Sequence, residues 1–317
     1  MKFRCLPLVL CSAMAFSQNI QNNPGSNHGN KFEQLGTILP TPNVYRTASG
    51  APGAQYWQQR ADYNISAYLD EDKKNLRGSE TITYYNNSPD DLDYLWLQLD
   101  ENDTSNTKNS GYDGSSSIPK IATDKSLKTT ELPAVDNGYG VNLEKVTDAA
   151  GNPLKYVVNK TMMRIDLPKI LKKGEKFTFK INWNYNIPNR MVLGGRGGYE
   201  HFDEDGNDLF TITQWYPRMC VYSDFQGWQN HQFTGRGEFA LVFGDFNVSV
   251  NVPADHTVAG TGVIQNLKEV LSPAQLSRWN QAQTSSEPVL FAFSSHPYRF
   301  HLKALPQEIA CPRSPVS

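Results

Sequence analysis

The chain has 317 residues, of which 38% are hydrophobic and 20% charged, with 30 Lys or Arg against 32 Asp or Glu. This nearly neutral balance, without a run of basic residues, argues against a nucleic-acid surface. Of the four cysteines, Cys5 and Cys11 lie in a predicted export signal, and the remaining two, Cys220 and Cys311, are too few for a disulfide framework. No Cys-x-x-Cys pair is present for a cysteine-based zinc site. Apolar burial must therefore hold the fold together, and 15 Tyr, 15 Phe and 6 Trp can contribute to it.

The N-terminal residues 1–17 are predicted to be an export signal peptide. Lys2 and Arg4 precede a short apolar run, and Ala15 and Ser17 stand at the two positions that a signal peptidase reads. We therefore expect an exported protein, either periplasmic or secreted. No apolar stretch reaches the roughly 20 residues of a membrane helix, so no membrane span is expected.

The rest of the chain is predicted to be a β domain at 44–304 behind a polar, Asn- and Gly-rich leader at 18–43. Alternation of apolar and polar residues, with many β-branched and aromatic side chains, predicts an all-β fold. We expect a saddle-like antiparallel β-sheet or sandwich. The predicted strands are 63–69, 76–85, 92–99, 141–146, 155–158, 162–167, 177–185, 210–216, 239–252, 257–261, 289–293 and 299–303.

One short helix is predicted near 272–283. Ser272 can cap its N-terminus and Pro273 suits the first helical position. After residue 304 the pattern breaks, and 305–317 is predicted to be an aberrant, unstructured tail. A polar loop at 101–140 separates the third and fourth strands, and its length is typical of a surface excursion.

Motifs for catalysis or metal binding are absent from the sequence. No His-Glu-x-x-His or Gly-x-Ser-x-Gly motif occurs. Glu200 and Asp203 could be read as a glycosidase carboxylate pair, but solvated charges in a hairpin turn explain them better. We therefore assign no catalytic residue and no metal ligand to this chain.

A series of motifs in a fixed order carries a family resemblance. Residues 213–219 read TQWYPRM, and they are followed by YSD at 222–224, GW at 227–228 and GRGEF at 235–239. Over about 44–304 the sequence resembles the N-terminal domain of the aminopeptidase-N-like zinc metallopeptidases, peptidase family M1.

This resemblance implies a role in peptide binding without catalysis. In the family the domain packs against a zinc-containing catalytic domain and lends a loop that holds the free α-amine of the peptide substrate. Gln214 and Tyr216 match that loop, and Tyr216 stands where many members have Glu or Gln. The resemblance also implies that zinc belongs to a catalytic domain missing here, that the chain stops before it, and that this chain alone is inactive.

Two other functions remain open at this point. A free-standing secreted β-sandwich could be a binding module for a glycan or a protein, using exposed aromatic side chains and the long polar loop. A glycosidase that uses Glu200 is a third, weaker possibility.

Overall fold

A computed structural model describes residues 42–108, 136–204, 206–233, 241–253 and 256–289, together with the backbone of 299–304. The chain divides into two compact units, Met1–Tyr56 and Trp57–Ser317. The predicted signal peptide, most of the predicted leader and the predicted tail lie outside the described residues, as does most of the predicted strand at 289–293. Those predictions therefore stay predictions.

The described part of the first unit is a tight turn. The Asn43 side chain accepts hydrogen bonds from the backbone N–H groups of Tyr45 and Arg46, 2.8 and 2.9 Å away. Arg46 forms an isolated β-bridge with Pro52, and its guanidinium lies 5.2 Å from the centre of the Tyr56 ring.

The second unit is mostly β-structure, which confirms the predicted all-β class. Its strands are β1 (Arg60–Asp70), β2 (Asn75–Tyr85), β3 (Leu92–Gln98), β4 (Asn142–Asp148), β5 (Tyr156–Asn159), β6 (Met162–Leu171), β7 (Lys176–Asn186), β8 (Gly198–Phe202), β9 (Asn207–Thr211), β10 (Arg218–Met219), β11 (Tyr222–Ser223), β12 (Gly227–Trp228), β13 (Phe246–Asn251), β14 (Val263–Ile264) and β15 (Arg299–Ala304).

Two larger sheets organise these strands. A seven-stranded sheet has the order β14-β15-β13-β1-β2-β7-β4, and a four-stranded sheet has the order β10-β3-β6-β5. Two further pairs, β8–β9 and β11–β12, form small hairpin sheets. The strands pair antiparallel except β1 and β13, which run parallel because the chain returns to the first sheet after a long excursion.

Strict alternation builds the centre of the large sheet. Along β1 the buried residues are every second one, from Ala61 to Leu69, and β2 and β7 show the same period. Side chains of a strand alternate between its faces, so these residues share one face of the sheet. They join residues of the four-stranded sheet, such as Leu95 and Ile165, in one apolar core.

Gly78 makes room for the largest side chain of that core. It lies directly opposite Trp183 in the β2–β7 pairing, and both residues are buried. A Cβ atom at Gly78 would lie only 2.0 Å from the Trp183 ring. The indole therefore occupies the space that a side chain at position 78 would need, and position 78 requires glycine for this close approach.

The predicted helix is confirmed as α3 (Pro273–Ala282), which follows two single turns, α1 (Arg190–Leu193) and α2 (Leu267–Val270). Ser272 and Gln275 form a capping box at its start. Among the described residues, no helix combines the length and the apolar character that a bilayer span demands.

Some predicted strand boundaries differ from the structure. The strand predicted at 210–216 ends at Thr211 as β9, and 257–261 is irregular. Within 239–252, the described strand is the shorter β13. In each case the sequence alternates, but neighbouring strands pair with only part of the run.

Candidate functional site

The 214–216 segment, which consists of Gln214, Trp215 and Tyr216, joins a hairpin to the four-stranded sheet. It follows β9 and precedes β10, which begins at Arg218. β10 pairs antiparallel with the end of β3 at the sheet edge. Both residues predicted to bind substrate therefore lie on one short connection, whose two ends are fixed by β-structure.

Gln214 combines an unfavourable backbone with an unpaired side chain. Its φ of 53° lies in the left-handed region, which costs a residue other than glycine about 1–3 kcal/mol. Its side-chain Nε2 is buried and has no hydrogen-bond partner within the part of the chain that the structure describes. Because buried polar groups are normally paired, this amide is a candidate for binding a ligand.

The other two residues of the segment are held by aromatic packing. The Trp215 ring lies 5.8 Å from the Trp183 ring, and the Tyr216 ring meets Tyr63 edge to face at 5.5 Å. Such pairs contribute about 0.5–1.5 kcal/mol each beyond their buried area. We call Trp215 and Tyr216 the aromatic cover, because they lie over two residues of the core face of the large sheet.

Tyr63 also fixes the strand that follows the segment. Its hydroxyl accepts a hydrogen bond of 2.8 Å from the backbone N–H of Met219 in β10. Its ring stacks on Phe246 of β13 at 4.6 Å. Tyr63 therefore connects the large sheet to both the aromatic cover and β10, so the cover has a defined position on the sheet.

Tyr216 cannot provide a charge at physiological pH. Burial, together with the nearby carboxyl of Glu80, raises the pKa of its phenol to about 12. The neutral hydroxyl can donate or accept a hydrogen bond. A negative charge for an ammonium group must therefore come from another residue.

Glu80 lies on the core face of β2, where the alternation of buried and exposed positions predicts an apolar residue. Its neighbours in register are Ile65 of β1 and Ile181 of β7. The side chain is 1% exposed, and neither carboxyl oxygen has a hydrogen-bond partner among the described residues. Burial raises the pKa of Glu80 well above its usual value, because the apolar surroundings disfavour the charged carboxylate.

The aromatic cover contacts the residues that surround Glu80. Tyr63 and Trp183 are the diagonal neighbours of Glu80 on the core face, two residues along from its partners in register. These are the two rings on which Tyr216 and Trp215 pack. The indole Nε1 of Trp183 is also buried without a hydrogen-bond partner in the described part of the chain.

A second buried carboxyl, that of Asp100, has a cationic partner. Arg218 donates to it from Nε at 2.7 Å and from Nη2 at 3.4 Å, and both side chains are almost fully buried. Asp100 follows β3 and Arg218 opens β10, so this ion pair joins the end of the 214–216 segment to the four-stranded sheet. Burial raises the pKa of Asp100, and Arg218 opposes that effect.

The acidic residues of the β8–β9 hairpin form ion pairs with nearby side chains. Glu200 lies 3.5 Å from Arg190, and Asp208 accepts from both Lys74 and His201. Asp203 is almost fully exposed and lies 3.5 Å from His201. These pairs agree with structural charges around a turn and do not bring the two proposed glycosidase carboxyls to one cleft.

Metal binding finds no support in the described residues, where no group of three or more His, Cys, Asp or Glu side chains could hold a metal ion. The side chains placed near the 214–216 segment are aromatic, amide and isolated carboxyl groups. They do not form the nitrogen- and oxygen-rich ligand set of a catalytic zinc site. The expectation that zinc belongs to another domain stays a prediction.

Sequence reasoning placed Gln214 and Tyr216 together but missed Glu80, Asp100 and Arg218 as parts of the same region. One sequence feature could have identified Glu80, which is the one charged residue on the buried positions of β2. The Asp100–Arg218 pair had no comparable local feature, because its members are 118 residues apart.

Comparison with known proteins gives weak similarity to solved structures. No protein-family model matches the chain, and no curated protein matches it. An M1 zinc metallopeptidase from Deinococcus radiodurans is 13% identical, with a TM-score of 0.36 over 78% of this chain and 38% of that one. A two-domain M1 zinc metallopeptidase variant bound to L-arginine is also 13% identical, with a TM-score of 0.37 over 78% of this chain and 39% of that one.

The chain thus spans about two fifths of the length of these structures. A variant of the two-domain metallopeptidase bound to L-tryptophan gives 12% identity and a TM-score of 0.36. Similarity at this level establishes neither a common fold nor a common activity.

Proposed function

We propose that this chain is the N-terminal, non-catalytic β domain of an exported zinc aminopeptidase. In the complete enzyme it would pack against the catalytic domain and help to hold the N-terminal residue of a peptide. Zinc and the residues that activate water would belong to the catalytic domain. Export rests on the signal-peptide pattern at residues 1–17.

The observation that carries the proposal is the state of Gln214. The sequence resemblance places this residue on the substrate-binding loop, and it has both a left-handed backbone and a buried amide without a partner. Strain of this kind is typical of residues that a structure holds in place for binding. The neighbouring rings of the aromatic cover supply the rigid support that such a residue needs.

A first experiment tests the absence of catalysis. The purified 317-residue chain is incubated with L-leucine p-nitroanilide, with and without zinc, and the release of p-nitroaniline is followed. We expect none above the buffer control. Zinc-dependent release that a chelator abolishes would contradict the proposal.

A second experiment tests recognition of the α-amine. The ¹⁵N-labelled chain is titrated with L-leucinamide and, as a matched control, with 4-methylpentanamide, which lacks only the α-amine. We expect leucinamide alone to shift the side-chain amide signals of Gln214, and Gln214→Ala to weaken binding by about fivefold, the effect of losing one hydrogen bond from the Gln214 amide N–H to the carbonyl oxygen of the ligand. Equal binding of both amides would contradict amine recognition.

A further inference from the structure

The geometry points to Glu80 as the residue that supplies the negative charge for a primary ammonium bound at the 214–216 segment. This inference rests on the proposed function and names the group that makes the site selective for a cation. Tyr216, which occupies the expected position in sequence, would then contribute a hydrogen bond and a surface, while Glu80 below the aromatic cover contributes the charge.

The position of Glu80 is the first argument. An apolar residue between Ile65 and Ile181 would complete the core face without loss, whereas a carboxyl buried there leaves two oxygens without partners in the described chain. Sequences that specify one fold rarely break the alternation in this way, and such breaks concentrate at functional sites. A structural role by pairing is ruled out within the described residues, because nothing there pairs with the carboxyl.

The surroundings of Glu80 give the second argument. Tyr63 and Trp183 flank it, and the aromatic cover packs on those two rings. Tyr216 and Trp215 are only half-buried, so the outer side of the cover faces solvent while its inner side faces the region of Glu80. A cation that contacts the cover from outside is therefore separated from Glu80 by one layer of side chains.

Unpaired groups of complementary kind occur on the 214–216 segment and on the strands that its aromatic residues contact. Glu80 offers acceptor oxygens, while the Gln214 amide and the Trp183 indole offer N–H donors, and none of the three has a partner among the described residues. The N-terminal residue of a peptide presents an ammonium group, which needs an acceptor, and a carbonyl oxygen, which needs a donor. The N-terminal residue of a peptide can therefore pair with the acceptor oxygens and with the N–H donors at the same time.

Because the surroundings of Glu80 are apolar, the charge of its carboxyl depends on whether an ammonium group is bound. Without a ligand, burial favours the protonated carboxyl and raises the pKa of Glu80. When an ammonium group binds on the aromatic cover, the carboxyl ionises and one proton leaves Glu80 for solvent, so that the carboxylate and the ammonium compensate each other across one layer of side chains. The groups that face Glu80 are Tyr63 from β1, Ile181 and Trp183 from β7, and Tyr216 from the cover.

The charges beyond these neighbours are balanced. Arg218 and Asp100 both act on Tyr216 and pair with each other. Glu101, which follows Asp100, has a pKa of about 8 because of burial and its acidic neighbours. The charge of Glu101 contributes to the raised pKa of Tyr185, which lies two residues beyond Trp183 on β7. Glu101 therefore provides a matched control, a second acid with a raised pKa whose charge acts on Tyr185, whereas that of Glu80 acts on Tyr216.

The test compares four forms of the full chain, namely the wild type, Glu80→Gln, Tyr216→Phe and Glu101→Gln. Each is titrated with L-leucinamide and with 4-methylpentanamide by NMR, and thermal unfolding confirms that each is folded. We expect Glu80→Gln to weaken leucinamide binding at least about tenfold and Glu101→Gln to change it less than about threefold, while Tyr216→Phe, which loses one hydrogen bond, falls between them.

A second readout detects the proton. Calorimetric titration of the wild type in two buffers of different ionisation enthalpy is expected to show release of about one proton per leucinamide bound near pH 6.5, and Glu80→Gln is expected to show none.

Two failures can be told apart. If leucinamide binds the wild type and Glu80→Gln equally, with the same proton release, the role of Glu80 is overturned and amine recognition stands. If the wild type does not distinguish leucinamide from 4-methylpentanamide, amine recognition itself is overturned, and the role of Glu80 with it.

Discussion

The buried carboxyls of Asp100 and Glu80 differ in whether a cationic side chain pairs with them in the described part of the chain. Asp100 is 3% exposed and accepts two hydrogen bonds from Arg218, while Glu80 is 1% exposed and has no partner among the described residues. Burial raises the pKa of both groups, but Arg218 opposes the rise at Asp100 alone. A buried acid can thus be accommodated either by pairing with a cation or by keeping its proton.

The comparison also separates two roles. The Asp100–Arg218 pair joins the turn after β3 to β10 in the four-stranded sheet, and each side chain compensates the charge of the other. Glu80 accepts no hydrogen bond from any residue that the structure describes, so its two carboxyl oxygens stay unpaired there. The first arrangement is structural, and the second leaves a group free for a ligand.

The largest change in the free energy of unfolding is expected when Asp100 loses its cationic partner, Arg218. Arg218→Met should lower the free energy of unfolding by about 3–5 kcal/mol at pH 7, because Asp100 is left buried without compensation. Urea unfolding measures this difference. The double variant Arg218→Met with Asp100→Leu should recover most of the loss. A loss below about 1 kcal/mol in the single variant would mean that the pair is not buried as described.

A smaller change in the free energy of unfolding, of opposite sign, is expected when the carboxyl of Glu80 is removed. Glu80→Leu should raise the free energy of unfolding by about 1–3 kcal/mol at pH 7, since it removes a buried polar group without a partner. Urea unfolding of the variant and of the wild type measures it. The same variant should lose leucinamide binding, so that stability and binding change in opposite directions. A destabilised Glu80→Leu would show that the carboxyl has a partner in the folded protein.

The stability difference between Glu80→Leu and the wild type should increase with pH. The pKa of Glu80 is raised in the folded state above the ordinary value of 4.5, so the folded chain holds a proton that the unfolded chain loses above that pH. Stability from this group therefore falls as pH rises from about 4.5 toward the folded pKa, by about 1.4 kcal/mol per pH unit. The advantage of Glu80→Leu over the wild type should grow from pH 5 to pH 7, and a constant difference would contradict it.

The smallest effect is expected for an exposed ion pair. Arg60 lies 2.8 Å from Asp62 and 2.7 Å from Asp245, and about half of the Arg60 side chain is exposed. Arg60→Met should lower the free energy of unfolding by only about 0.2–1 kcal/mol, because water screens the charges. The loss should shrink further in about 1 M salt. A loss as large as that of Arg218→Met would erase the distinction between exposed and buried pairs.

The regular elements were largely predictable from local patterns. The alternation along β1, β2 and β7 predicted strands close to the observed bounds, and Ser272 with Pro273 predicted α3. Each of these patterns depends on neighbours within a few residues. The end of β9 at Thr211 was not predicted, because an alternating run becomes a strand only where another strand pairs with it.

The candidate site was predicted in part. The motif at 213–219 identified Gln214 and Tyr216, but the left-handed backbone of Gln214 and the high pKa of Tyr216 follow from the packing of the folded chain. Nothing local in the sequence relates either residue to Glu80.

The sequence by itself determined the β class, the strand faces and the short helix, since these depend on periodicity and on capping residues. Only the tertiary structure decided that the aromatic cover lies over Tyr63 and Trp183. It also decided that Glu80 is buried without a partner in the described part of the chain, while Asp100 pairs with Arg218. Those contacts depend on strand register, which sets the neighbours of each side chain across the sheet and cannot be read from one strand alone.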